Sequence, residues 1–173
     1  MLTYTVPDES HLPALRLYRA ECLADGGNAD GSAGLVDFPD PADWLGRTRL
    51  LASDEAEKHG WYRTAVFLAF EGGVPVGIGS IRLSDDDTVT RLAGHIGYHV
   101  RPSARRKGYG RAILRHALET AVSLGIAEPH VCVLVGNEAS HRTALSAGMI
   151  RDGDEILPNG ERIVRYRTGP SGQ

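Results

Sequence analysis

The sequence predicts a single α/β (α+β) domain: a mixed, largely antiparallel sheet of six to seven strands with helices on both faces. Three observations lead there. The chain has 173 residues, which fits one domain large enough to bury a real core. Its apolar periodicity switches between 2 and 3.6 in the order strand, two helices, three strands, helix, strand, helix, two strands. Gly72-Gly73 and Pro158-Asn159-Gly160 divide apolar runs as hairpin turns do. Residues 1–173 form one unit, with 169–173 a flexible tail.

Taken in order, Leu2 to Val6 alternates as a strand and Pro7 ends it. Asp8 or Ser10 caps a helix whose apolar stripe (Leu12, Leu15, Tyr18, Cys22) runs to about Ala24. Asp25 to Pro39 holds four glycines and is longer than an ordinary connection, so it is functional or mobile. Asp40 or Asp43 starts a second helix, with Pro41 in its first turn. Ala65 to Glu71 and Val74 to Leu83 read as a hairpin. Ser84 to Asp87 is a polar turn, and a strand beginning near Thr88 to Arg91 continues to Val100. A helix follows, up to Gly125. His130 to Val135 is a buried strand, Glu138 to Ala147 a helix stopped by Gly148, and 150–168 a terminal hairpin.

Bulk properties narrow the function. A net charge of −3 gives no overall field toward nucleic acid or membrane. No apolar run approaches a membrane span and no signal pattern opens the chain, so the reading is cytoplasmic. Cys22 and Cys132 read as buried free thiols, and no His/Cys spacing suggests a metal site.

Chemistry concentrates at Val100-Arg101-Pro102-Ser103-Ala104-Arg105-Arg106-Lys107-Gly108-Tyr109-Gly110. A strand enters this stretch, Pro102 stops it, and a helix leaves. Gly108 and Gly110 let backbone amides approach a ligand, and a helix N-terminus favours anions. Arg105, Arg106 and Lys107 add charge. Walker A is absent, and Ile113 stands where a Rossmann fingerprint needs its third glycine. The glycine spacing alone fits an anion cradle or a plain basic turn.

Arg105-Arg106-Lys107-Gly108-Tyr109-Gly110 resembles the Arg/Gln-x-x-Gly-x-Gly/Ala signature of the GNAT superfamily of acyl-CoA N-acyltransferases. Asn137-Glu138-Ala139-Ser140 with Ala147-Gly148-Met149 resembles that family's second block, Met149 standing where Phe is usual. The resemblance covers about residues 64–168. It implies the GNAT-like sheet, with the strands ending at Val100 and spanning 130–135 splayed around a pantetheine arm. It implies pyrophosphate on the amides of Arg106, Gly108 and Gly110, beside Lys107 and Tyr109. Val100 and Arg101 would lie along pantetheine, Arg105 at a phosphate, and Asn137 and Ser140 at the CoA or a water. The expected activity is N-acetyl transfer from acetyl-CoA, as cosubstrate, to a primary amine, with no metal. The acceptor is a small molecule or peptide, not nucleic acid, and the protein is a monomer or homodimer. The competing readings are a non-catalytic CoA or acyl-CoA sensor and a nucleotide-phosphate binder.

Acyl transfer needs a neutral amine. For a lysine-like pKa of about 10.4, only about one molecule in 2,500 is neutral at pH 7, a deficit of about 4.6 kcal/mol. His95 lies near the position where relatives carry a catalytic Glu, His99 is four residues on, and Glu138 is a third candidate base. Two structural histidines are the alternative. The tyrosine that many relatives use as general acid is Ala144 here, leaving Tyr98 and Tyr109 as stand-ins. Arg82 and Arg91 could approach an acceptor carboxylate, and Asp25, Asp30 and Asp37 a cationic amine. Solvated surface charge is the more frequent reading of such arginines and explains the three aspartates equally well.

Overall fold

The computed structural model describes residues 1–169 of the chain. Strand β1 (Thr3–Thr5) leads to Asp8, whose carboxylate accepts from Ser10 N at 2.9 Å while His11 Nδ1 accepts from Asp8 N at 3.0 Å. This reciprocal cap starts a 3-10 turn, Glu9–His11, that continues as α1 (Leu12–Ala24). Asp40 caps α2 (Pro41–Ala52) by accepting from Ala42 N at 2.8 Å, and a short α3 (Glu55–Lys58) follows. β2 (Thr64–Glu71) and β3 (Val74–Arg82) form a hairpin through Gly72 and Gly73, at φ 56° and 80°.

The segment from Thr88 departs from the expected strand. Thr88–Ala93 is a π-helical turn, and strand β4 is only Ile96–Val100. The Asp86 carboxylate accepts from Val89 N at 2.9 Å, and the Val89 side chain is fully buried. A cap and an apolar anchor one residue into the segment favour coil over extension. Beyond β4 come α4 (Tyr109–Ser123), β5 (His130–Leu134), α5 (Glu138–Ser146), β6 (Met149–Ile156) and β7 (Arg162–Thr168). Apart from Gly169, the expected tail lies outside the described residues.

The seven strands make two sheets, ordered β1-β2-β3-β4 and β5-β7-β6, and every ladder is antiparallel. The expected largely antiparallel arrangement of six to seven strands is present as seven strands, divided into a four-stranded and a three-stranded part. β4 and β5 share no ladder; they touch at their start, where His95 N donates to His130 O at 2.8 Å. Helices do cover both faces. Ile113, Leu114, Ala117 and Ala121 of α4 pack with Phe67, Ile81 and Ile96 on one side. Leu15 and Tyr18 of α1 and Trp44 of α2 pack with Val66, Leu68 and Ile78 on the other. Burying a large apolar side chain contributes about 1.5–3 kcal/mol, so these two layers fix the plane that carries β4. Among the described residues, no helix is long and apolar enough to cross a membrane.

Candidate active site

The site begins with an unpaired strand edge. Arg82 N donates to His95 O and Arg101 N to Val76 O, and the β3–β4 register pairs Ile78 with His99 and Ser80 with Gly97. Antiparallel strands alternate the direction of their backbone groups. The N–H and C=O of Tyr98 and Val100 therefore point away from β3, toward the gap before β5.

At the end of β4 the phosphate turn meets α4. Gly108 is the N-cap of α4 at φ 82°, and no side chain caps the helix, so its first amides are open to a ligand. A Cβ built on Gly108 meets nothing within 4 Å. Arg106 also has positive φ, 66°, so alternate residues of the turn curl their amides into a concave nest. Asn137 caps α5 on the facing wall, accepting from Ser140 N at 3.1 Å. Between the walls lies a cavity of about 860 Å³, lined by Tyr98, His99, Val100, Arg105, Arg106, Gly108, Tyr109, Gly110, Asn137 and Ser140. Arg111, Arg142, Thr143 and Asn28 line it too; the sequence reading missed them. Arg111 falls one helical residue beyond Gly110 and Arg142 five beyond Asn137, so helical spacing from the two motifs was the available signal.

A second cavity, of about 680 Å³, opens beside the first. The long loop, α2, Trp61, Tyr62, Ser80 and Arg82 enclose it. Asn28 and Asp30 line both cavities. The loop is held in place by a backbone contact: a Cβ on Gly31, at φ 84°, would sit 2.2 Å from the carbonyl oxygen of Tyr98. Only glycine lets the loop lie directly on β4.

The predicted residues fare differently. Tyr98 Oη is buried in the wall of the larger cavity, beside the hydroxyls of Ser140 and Thr143 but too loosely set for a hydrogen bond. Burial raises its pKa above the usual phenol value. His99 Nδ1 lies 3.0 Å from Tyr18 Oη. Burial, helped by the Arg105 guanidinium, pushes its imidazole down to about 4. His95 is fully buried and lines neither cavity. Its Nδ1 accepts from His130 N at 3.0 Å, which puts the proton on Nε2, 3.2 Å from Asp85 Oδ1. Both nitrogens are thus engaged. Arg101 pairs with Glu21 at 2.6 Å instead of lining the larger cavity, and Lys107 lies outside its wall. Arg105 lines the cavity while pairing with Asp25 at 2.6 Å. Arg91 is taken up by Glu155 at 2.8 Å, whereas Arg82 donates to Gly94 O at 2.9 Å and has no carboxylate partner among the described residues.

Together these parts make an anion-favouring cleft: a nest of backbone amides, arginines on two helices, an outward-facing strand edge and a buried hydroxyl without a hydrogen-bond partner. The sequence model of the Acetyltransferase (GNAT) family matches residues 34–149. The chain belongs to that family. Solved structures agree in fold. The RimL ribosomal L7/L12 alpha-N-protein acetyltransferase in complex with coenzyme A matches with TM-score 0.70 at 20% identity, over 96% of this chain and 92% of that one. The microcin C7 self-immunity acetyltransferase MccE, in complex with acetyl-CoA and AMP, matches at 0.72 and 15%, over 96% and 91%. The ribosomal-protein-S5-alanine acetyltransferase from Vibrio fischeri matches at 0.71 and 16%, over 96% and 92%. A search of curated protein sequences returned no match.

Proposed function

We propose that this protein moves an acetyl group from acetyl-CoA to a primary amine. One observation carries the reading: two cavities, one between the amide nest and α5 and one under the long loop, meet at Asn28 and Asp30 near the outward edge of β4. The residues present fit the carrier. The turn at Arg106–Gly110 and the start of α4 hold pyrophosphate, Arg111 and Arg142 add charge, and the outward backbone groups of Tyr98 and Val100 bond the amides of the arm, the Val100 carbonyl giving up its long contact with Arg105 Nε (3.4 Å). Bound there, acetyl-CoA supplies the electrophilic carbonyl carbon.

The remaining work belongs to side chains of this chain. Asp30, at the junction, attracts the ammonium form of the acceptor and takes its proton, directly or through water. His95 is not given the base role, because its lone pair already accepts from His130 N. His99, neutral across the working range, holds Tyr18 and the strand in place. Tyr98, its phenol kept protonated by burial, donates to the departing thiolate and takes the part played elsewhere by the tyrosine that is Ala144 here. An N–H of the β4 edge is free to stabilise the developing oxyanion.

The test is release of CoA thiol against a panel of amines, with CoA binding followed by calorimetry. Turnover should fall at least about tenfold in Asp30→Asn and in Tyr98→Phe, with CoA affinity nearly unchanged. If CoA binds and no amine is consumed, the second reading, a non-catalytic CoA-binding protein, takes over. Ala144 is the residue that favours it.

A further inference from the structure

We propose that the acceptor is a small zwitterion, a primary amine that also carries a carboxylate, and that Arg82 and Arg47 bind the carboxylate. The proposal rests on the acetyltransferase reading and specifies the acceptor class. The smaller cavity contains charges of both signs that do not neutralise one another. Arg82 stands at the end of β3 and faces it. Its guanidinium makes one hydrogen bond, to the Gly94 carbonyl, and no ion pair among the described residues. Burial pulls its pKa below the usual arginine value, yet arginine stays charged in proteins. A cation kept partly out of water without a counter-ion is costly to hold. Arg47 of α2 lines the same cavity, its guanidinium carbon 3.3 Å from the centre of the Trp61 ring, again without a carboxylate partner among the described residues.

Several arginines are met by acids, among them Arg49 by Glu9, Arg91 by Glu155, Arg101 by Glu21 and Arg165 by Asp152, while others stand unpaired on the surface or at the larger cavity. Arg82 and Arg47 are distinguished by lining, without an acid partner among the described residues, a cavity that also holds Asp30 and Asp37. Neither carboxylate comes within ion-pair distance of Arg47 or Arg82, so cationic and anionic groups stand apart across one opening. That spacing suits a ligand carrying the complementary pair. The ammonium end goes to Asp30, at the junction with the carrier cavity where the transfer occurs. The carboxylate goes to the two guanidinium groups, which bind carboxylates in a fork geometry. Phe38, Trp61 and Tyr62 leave an aromatic wall for a side chain. A volume of about 680 Å³ is in the range of small-molecule sites.

The probes are L-amino acids with aromatic or aliphatic side chains, each beside its carboxamide and its decarboxylated amine. With CoA bound, the free acid should bind, and with acetyl-CoA turn over, at least tenfold better than either partner. Arg82→Met should level the three compounds while CoA affinity stays at the wild-type value. Arg82→Lys, which keeps the charge and loses the fork, should restore part of the preference and guard against a folding defect. Equal handling of acid and carboxamide by the wild type overturns the proposal, as does equal loss for all three compounds in Arg82→Met. If no amine is acetylated but the acid still binds in an Arg82-dependent way by calorimetry, the zwitterion site stands and the acetyltransferase reading falls. If the acid does not bind at all, the zwitterion site falls.

Discussion

Gly31→Ala tests how the smaller cavity, proposed to take the acceptor, is built. The new Cβ would stand 2.2 Å from Tyr98 O, 2.5 Å from Tyr98 N and 2.6 Å from Tyr98 C. Non-bonded carbons prefer about 3.5–4.0 Å, so the loop must rise by about 1 Å or more, and its obstacle is backbone that cannot rotate aside. The left-handed conformation at φ 84° adds about 1–2 kcal/mol for any residue with a Cβ. Forced overpacking adds about 1–3 kcal/mol. If the loop stays docked, the loss is about 2–5 kcal/mol, the sum of these two ranges. If it lifts away, the loss is what docking contributes. Leu35 is fully buried beneath the loop, a burial of about 1.5–3 kcal/mol. The Trp44 indole also donates to Ser32 O at 3.2 Å and Ala33 O at 3.1 Å. Either route costs about 2 kcal/mol or more, which for a chain of this size lowers Tm by about 4 °C or more. Gly27→Ala is the control: its φ is 75° but its added Cβ meets nothing within 4 Å. It should show the conformational part alone, in both thermal unfolding and the KM for acceptor. Equal Tm and acceptor KM in Gly31→Ala and wild type would falsify the docking of the loop on β4.

Gly108→Asp should weaken CoA binding at least about tenfold, because a carboxylate would replace open amides at the helix N-terminus, while far-UV circular dichroism stays unchanged; undiminished affinity removes the phosphate placement. His95→Ala should destabilise by about 2–4 kcal/mol, since it leaves His130 N and Asp85 unpartnered around a small void, with little change in turnover per folded molecule. A stable His95→Ala with turnover reduced tenfold would return the base role to it. Burial holds the His99 imidazole down to about 4 in the folded protein, against 6.5 for an exposed imidazole, so the unfolded chain binds the extra proton first on acidification. Stability is full above about pH 6.5 and is lost as pH falls toward 4, by up to about 3 kcal/mol from this residue. His99→Gln should flatten that limb in part only, because burial also lowers His116 and His130; an unchanged limb refutes the assignment.

Much of the frame was legible because its causes are local. Asp40 and Asn137 cap helices from within three residues, and Gly72-Gly73 turns a hairpin unaided. The phosphate turn needs only its own glycine and the helix that follows. The residues whose surroundings the sequence did not show are those whose partners arrive from far away. His95 looks like a free imidazole until Asp85 and His130, 10 and 35 positions distant, close on its nitrogens. Arg101 belongs to a cofactor motif, yet Glu21, 80 positions earlier, takes its guanidinium. Asp25 and Asp30 are indistinguishable in composition, but folding pairs one with Arg105 and leaves the other at the meeting of two cavities. Arg82 and Arg91 separate for the same reason, since only Arg91 finds an acid. The curl at Thr88–Ala93 depends on Val89 reaching the core, which a β-branched, strand-like segment does not reveal.

The wall shared at Asn28 and Asp30 bears on the order of events in solution. The two cavities are distinct volumes with a common wall, so both ligands can be held at once. Double-reciprocal plots of initial rate should therefore intersect rather than run parallel, and no acetylated form of the protein should accumulate when acetyl-CoA is supplied alone. Desulfo-CoA should accordingly compete with acetyl-CoA and not with the amine, so the two cavities can be told apart by inhibition pattern alone.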